Sequence, residues 1–157
     1  MVYSGKLCKL EIKIAADVSN VLDSTKQIVD FFEKKVELSE DMIFDIRVIV
    51  NELISNAILH GSKKDASKII NITAGLSKNL SQLFLIVEDQ GDGIDCSITK
   101  LNFKEIINNS DELVDLGQQT LENLKDGGRG LQIISALSDC IKVNKKGNKV
   151  IVLKEVG

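Results

Sequence analysis

The chain has 157 residues, 43% of them hydrophobic and 27% charged, the balance of one globular domain with a single core. A net charge of −3, with both signs mixed along the chain, excludes a general nucleic-acid binder, and 4% aromatic residues with no Trp exclude a base- or sugar-stacking platform. Cys8, Cys96 and Cys140 are too widely spaced for a metal-ligand pattern and read as reduced thiols.

Residues 6–14 alternate, with Leu10, Ile12 and Ile14 on one side and Lys9, Glu11 and Lys13 on the other, which predicts a half-buried strand. Asp17 or Ser19 can cap a helix running to about Val36, striped by Val21, Leu22, Ile28, Val29 and Phe32. Ser39 then caps a second helix, whose apolar stripe is Ile46, Ile49, Val50, Leu53, Ala57 and Ile58. Gly61 is expected to end it as a C′ glycine. Two strands follow, 69–76 and 82–87, joined by the polar turn Ser77-Lys78-Asn79, and the second runs into the turn-forming Glu88-Asp89-Gln90-Gly91-Asp92-Gly93.

From about 96 to 126 the pattern weakens. Phe103, Ile106, Ile107, Leu113, Val114 and Leu116 suggest one or two short helices, and a connection of this length is expected to be a functional lid. Gly127-Gly128-Arg129-Gly130 opens a helix with Leu131, Ile134 and Leu137. A strand pair, 140–143 and 150–153, closes the chain around Lys145-Lys146-Gly147-Asn148. The order β-α-α-β-β-lid-α-β-β predicts one domain over 1–157, an α/β (α+β) two-layer sandwich. Its helices cover one face of a mixed, mostly antiparallel sheet. No apolar run approaches the ~18 to 20 residues needed to cross a bilayer, and the start lacks a signal-peptide layout, so a cytoplasmic protein is expected.

Three stretches carry chemistry. Glu52 and Asn56 lie four apart, on one face of the second helix, so a proton acceptor and a hard-metal ligand stand one turn from each other. The same pair also occurs on many solvated helices. Asp89, at the end of a strand, can accept a hydrogen bond from an exocyclic amine, and Gly91 and Gly93 let backbone approach a flat ring; a plain Asp-Gly turn is the alternative. Gly128 and Gly130, beside Arg129, free the N–H groups of a helix start for phosphate, or form a simple loop-to-helix junction.

In this order the three stretches resemble the histidine-kinase-like ATPase superfamily, which includes gyrase and mismatch-repair ATPases, over essentially the whole chain. Glu52-Leu53-Ile54-Ser55-Asn56 resembles its N box, Asp89-Gln90-Gly91-Asp92-Gly93-Ile94 its first glycine box and Gly127-Gly128-Arg129-Gly130-Leu131 its second. The short length and the helix end Asn56-Ala57-Ile58-Leu59-His60-Gly61 resemble the anti-sigma-factor serine kinases.

The resemblance implies ATP and Mg²⁺ as cofactors. Asn56 would ligate the metal, and Asp89 would bind the adenine amine in a pocket shaped by Gly91, Gly93 and Ile94. Gly128, Arg129 and Gly130, with Leu131 completing the box, would hold phosphates, and Glu52 would act as general base. It also implies a sigma factor as partner, a small anti-anti-sigma protein as serine acceptor and a homodimer formed through the first strand and helix. No nucleic acid and no membrane are expected to take part.

Two departures stand out. Many members carry Thr soon after the glycine of the last hairpin, where this chain has Asn148 and Lys149, so Asn148 is the candidate substitute near adenine. The phospho-accepting helical segment of sensor kinases is not seen, and the single His60 reads as a local capping or core-edge residue. Two other readings remain open at this stage: an ATP-binding regulatory module without catalysis, and a detached sensor-kinase catalytic domain acting on a histidine of another chain.

Overall fold

A computed structural model describes residues 8–62, 65–90, 113–115, 128–144 and 148–156. The first strand, β1 (Cys8–Ala15), has the expected alternation: Cys8, Leu10, Ile12 and Ile14 are half-buried and the intervening side chains exposed. Asp17 accepts from the Ser19 N–H at 2.9 Å and opens a short 3-10 turn, Val18–Asn20, which feeds α1 (Val21–Lys35). Of the two predicted caps, Asp17 is therefore the one used, and it caps the turn rather than the helix itself. Ser39 caps α2 (Glu40–Asn56) by accepting from the Met42 N–H at 3.1 Å, with Glu40 and Asp41 in the first turn, where the helix dipole favours them.

β2 (Ile69–Leu76) and β3 (Gln82–Glu88) form an antiparallel hairpin in which Ile72 faces Val87 and Gly75 faces Phe84. β5 (Cys140–Asn144) and β6 (Lys149–Glu155) form the second predicted pair, and β6 lies beside β3. The predicted short helices of the 96–126 segment fail at one place: Leu113–Asp115 forms β4, paired with β5. Leu113 and Val114 have the branched or apolar side chains an edge strand accepts, and pairing with β5 outweighs weak local helix preference. The other residues of that segment lie outside the described residues. The sheet runs β1-β2-β3-β6-β5-β4 and is antiparallel at every described pairing.

The core forms where the helices lie on one face of this sheet. Ile28, Phe32, Ile46, Ile49 and Ile54 from the helices meet Ile70, Ile72, Leu83, Leu85 and Val152 from the strands, all at most 1% exposed. Each such side chain contributes roughly 1.5–3 kcal/mol on burial. β3 is also buried on its other face through Phe84 and Ile86. A Cβ on Gly75 would lie 2.3 Å from the Phe84 ring, so the glycine makes room for the aromatic that faces it across the strands. The third helix, α3 (Gly128–Leu137), packs against α2 and inserts Ile134 into the core.

Candidate nucleotide site

α2 positions the first two site residues. Its predicted apolar stripe is buried, Leu53 included, and Ile54, which that stripe left out, is buried beside it. Glu52 and Asn56 are half-buried at the edge of that stripe, one turn apart. At Asn56 the α-helix ends and a π turn, Ala57–Gly61, takes over, closed by a 2.8 Å hydrogen bond from the Ser62 N–H to the Ala57 carbonyl. The wider turn keeps Ala57 and Ile58 buried and delivers Gly61 to the end of β3.

Gly61 is where the sequence-based expectation needs correction. It is not a left-handed C′ glycine: the helical path continues through it to Ser62. Its lack of a side chain answers a different demand. A Cβ at this position would stand 2.0 Å from Oδ2 and 2.4 Å from Cγ of Asp89. The Asp89 carboxyl group thus lies against bare backbone at the end of the helix that carries Glu52 and Asn56.

Asp89 follows β3 in the parity of Leu83, Leu85 and Val87, so its side chain projects to the helical side, where it is 5% exposed. Its neighbours are held on both sides. The Asp89 N–H donates to the Asn148 carbonyl at 2.9 Å, and the Gln90 side chain accepts from the Ile69 N–H at 2.9 Å. Glu88 projects to the opposite face, where its Oε2 lies 2.9 Å from Lys149 Nζ; both side chains are less than 5% exposed. Beside Gly61, Ser62 is fully buried, and its Oγ finds no hydrogen-bond partner among the described residues. The space left by the missing Gly61 side chain is filled by the Asp89 carboxylate, and a buried carboxylate held in this way can accept from the amine of a planar ligand.

The structure therefore brings Asp89 to the helix of Glu52 and Asn56. It also places the backbone of Gly128, Arg129 and Gly130 in the first turn of α3, with Leu131 next, on the helix packed against α2. The first N–H groups of a helix have no intrahelical acceptor, which is what a phosphate requires there. Gly91, Gly93, Ile94, Cys96 and Gly127 lie outside the described residues. Asn148 is buried beside Asp89, but its Oδ1 accepts from the Asn144 amide at 2.6 Å, so its side chain is already engaged by the protein.

Among the described residues no three His, Cys, Asp or Glu side chains gather as a cage for a metal. Mg²⁺ does not need one: it keeps waters and phosphate oxygens and takes few protein ligands, so a single carboxamide such as Asn56 fits it. Sequence reasoning missed Gly61 as a contact, Ser62, Asn144 and the Glu88–Lys149 pair. The last had a signal, since each charged residue borders an apolar run, 83–87 in β3 and 150–153 in β6.

A carboxylate at a strand end, a Glu-x-x-x-Asn helix and a glycine-started helix on one antiparallel sheet define a nucleotide-binding domain of the histidine-kinase type. The family model for the histidine kinase-like ATPase domain matches residues 14–154, and the chain belongs to that family. It is similar to the anti-sigma F factor of Clostridium perfringens, 26% identical over 131 residues that cover 82% of this chain and 83% of the relative. It is also similar to the serine-protein kinase RsbW of Oceanobacillus iheyensis, 28% identical over 121 residues, 77% of this chain and 70% of the relative. RsbW of Bacillus subtilis is 29% identical over 119 residues, 73% and 65% of the two chains.

Proposed function

We propose that this chain is an ATP- and Mg²⁺-dependent protein serine kinase that also acts as an anti-sigma factor, sequestering a sigma factor and phosphorylating a small anti-anti-sigma partner. The observation that carries the reading is the seating of Asp89 against Gly61. It brings the carboxylate that would accept the adenine amine to the end of the helix that carries Asn56, the candidate metal ligand, and Glu52, the candidate base. Asn56 stands five residues before Gly61, across the π turn, and Glu52 lies about 6 Å of α-helix axis further. Adenine, the metal-bound phosphates and the transferred phosphoryl group follow the same order along ATP. The names of the relatives, an anti-sigma factor and serine-protein kinases, agree with both halves of the proposal.

In this mechanism Asp89 accepts from the adenine amine and fixes the base. The family resemblance assigns Gly91, Gly93 and Ile94 to the adenine pocket and Gly128, Arg129, Gly130 and Leu131 to the phosphates. Asn56 holds Mg²⁺, which neutralises phosphate charge when bound. Glu52 takes the proton of the acceptor serine as its oxygen bonds to the γ-phosphorus and the bond to the bridging oxygen of ADP breaks. Positioning and charge neutralisation supply most of the rate. The protein works as a homodimer through β1 and α1; β1 is an edge strand with no partner on its outer side in the described sheet. No described helix is long and apolar enough to cross a membrane, and the proposed sigma partner places the chain in the cytoplasm.

The test is thermal unfolding with and without Mg-ATP, followed by phosphate transfer to candidate acceptors. At a hundred times its dissociation constant ATP stabilises wild type by ~2.7 kcal/mol. Asn56→Ala and Asp89→Ala lose that shift, while Glu52→Ala keeps it and loses acid-stable phosphoserine formation. An unshifted wild type would refute the nucleotide site. Binding without transfer to any acceptor would leave a regulatory module, and acid-labile phosphate on a partner would identify a detached sensor-kinase domain.

A further inference from the structure

Asn144 has no role in the nucleotide chemistry above, yet its side chain organises the strand end on which Asp89 depends. Its Oδ1 accepts from two backbone N–H groups, those of Asn148 at 3.0 Å and Lys149 at 3.1 Å. Its Nδ2 donates to Asn148 Oδ1 at 2.6 Å. Because Oδ1 meets two donors and Nδ2 an acceptor, the orientation of the Asn144 amide follows from the bonding itself.

The two residues held in this way are those that hold the end of β3. The Asn148 carbonyl accepts from the Asp89 N–H at 2.9 Å. Lys149 faces Glu88 across the strands, and their buried charges lie 2.9 Å apart. The connection runs from one amide side chain through Asn148 and Lys149, at the start of β6, to Glu88 and Asp89, at the end of β3. On the far side Gly61 limits where the Asp89 carboxylate can go. Each link is a hydrogen bond or ion pair between residues that are buried or half-buried, where such contacts hold position rather than exchange with water.

We propose that Asn144 is a positioning residue for nucleotide selection: by clamping Asn148 and Lys149 it holds the Asp89 carboxylate where it accepts from adenine and rejects guanine. The inference rests on the reading of Asp89 as the adenine contact. Adenine presents an amine at the position where guanine presents a carbonyl oxygen. A carboxylate fixed opposite that atom gains a hydrogen bond with the first and meets an acceptor with the second. Discrimination of this kind needs a carboxylate that cannot retreat; one that can shift by an ångström lets water bridge to the guanine oxygen.

The experiment is equilibrium binding of Mg-ATP and Mg-GTP to the full chain by titration calorimetry, with thermal unfolding alongside. The variants are Asp89→Asn, Asn144→Ala and Asn144→Asp. Wild type prefers ATP, and Asp89→Asn removes the preference. Asn144→Ala reduces the ATP-to-GTP affinity ratio about tenfold, the scale of one lost positioning contact. Asn144→Asp keeps the oxygen that takes both N–H groups and lets Asn148 turn its amide to donate, so the ratio returns toward wild type.

A wild type without preference, or an Asp89→Asn variant that keeps it, overturns the reading of Asp89 and the inference with it. An Asn144→Ala variant with a lowered melting temperature but a ratio within about twofold of a selective wild type overturns the inference alone. Should Asn144→Ala not fold, the same comparison on Asn144→Ser decides between these outcomes.

Discussion

Replacing Gly61 with alanine tests the central contact of the site, because two physical arguments predict opposite results. Gly61 lies in a helical turn with no left-handed φ, so helix propensity alone makes Gly61→Ala stabilising by about 1 kcal/mol. The new methyl, however, would stand 2.0 Å from Asp89 Oδ2 and 3.0 Å from its Cβ. Restoring an ordinary contact of 3.4 Å requires the carboxylate oxygen to withdraw by about 1.4 Å. Asp89 has little freedom to do so, since its N–H is bonded to Asn148 and its neighbours Glu88 and Gln90 are engaged on either side.

Overpacking of this sort costs roughly 1–3 kcal/mol, which the helix gain partly offsets, so net stability falls by about 0–2 kcal/mol. Nucleotide binding suffers more. A hydrogen-bonding group displaced by more than an ångström loses its contact, and affinity for Mg-ATP falls at least about tenfold. Chemical denaturation gives the first quantity and titration calorimetry the second. An alanine variant that binds ATP as wild type does would refute the proposed role of the Gly61–Asp89 contact, whatever its stability.

Other expectations can be checked on the same protein. Lys149→Met leaves Glu88 charged and buried, and costs about 3–5 kcal/mol in denaturant unfolding; the double variant Glu88→Leu with Lys149→Met recovers most of it. Ser39→Ala removes the cap of α2 and lowers stability by about 1 kcal/mol, with ATP affinity unchanged because the cap lies at the far end of the helix from Asn56. The Ser19 N–H and hydroxyl hold the Asp17 carboxyl below its ordinary value. The stability Asp17 contributes is therefore present above the unfolded-state value and lost as pH falls through the lower folded one, which proton-detected titration of wild type and Asp17→Asn can follow.

The elements of this fold were legible because each announces itself locally. The alternation in β1, the 3.6-residue stripe and Ser39 cap of α2, and the glycines that open α3 are all short-range patterns set by backbone geometry. The Glu52–Asn56 pair was legible for the same reason, since four residues on a helix always share a face. β4 was not, because three residues carry too little pattern of their own and become a strand only when β5 offers its edge.

Tertiary structure decided the rest. Gly61 is followed closely by a change of element, so from sequence it resembles a helix-ending glycine; only the arrival of β3 beside the π turn makes it a contact for Asp89. Glu88 and Lys149 are 61 positions apart in the chain and become partners through the register of β3 with β6. Asn144 carries no signal of its own in the sequence, and Asn148 reads there as a candidate adenine partner; the register of β5 with β6 instead ties their side chains to each other behind Asp89. Sequence by itself determined which residue types the site contains and on which elements they ride. Which backbone each one meets depends on packing between segments distant in the chain, and local preference carries no record of that.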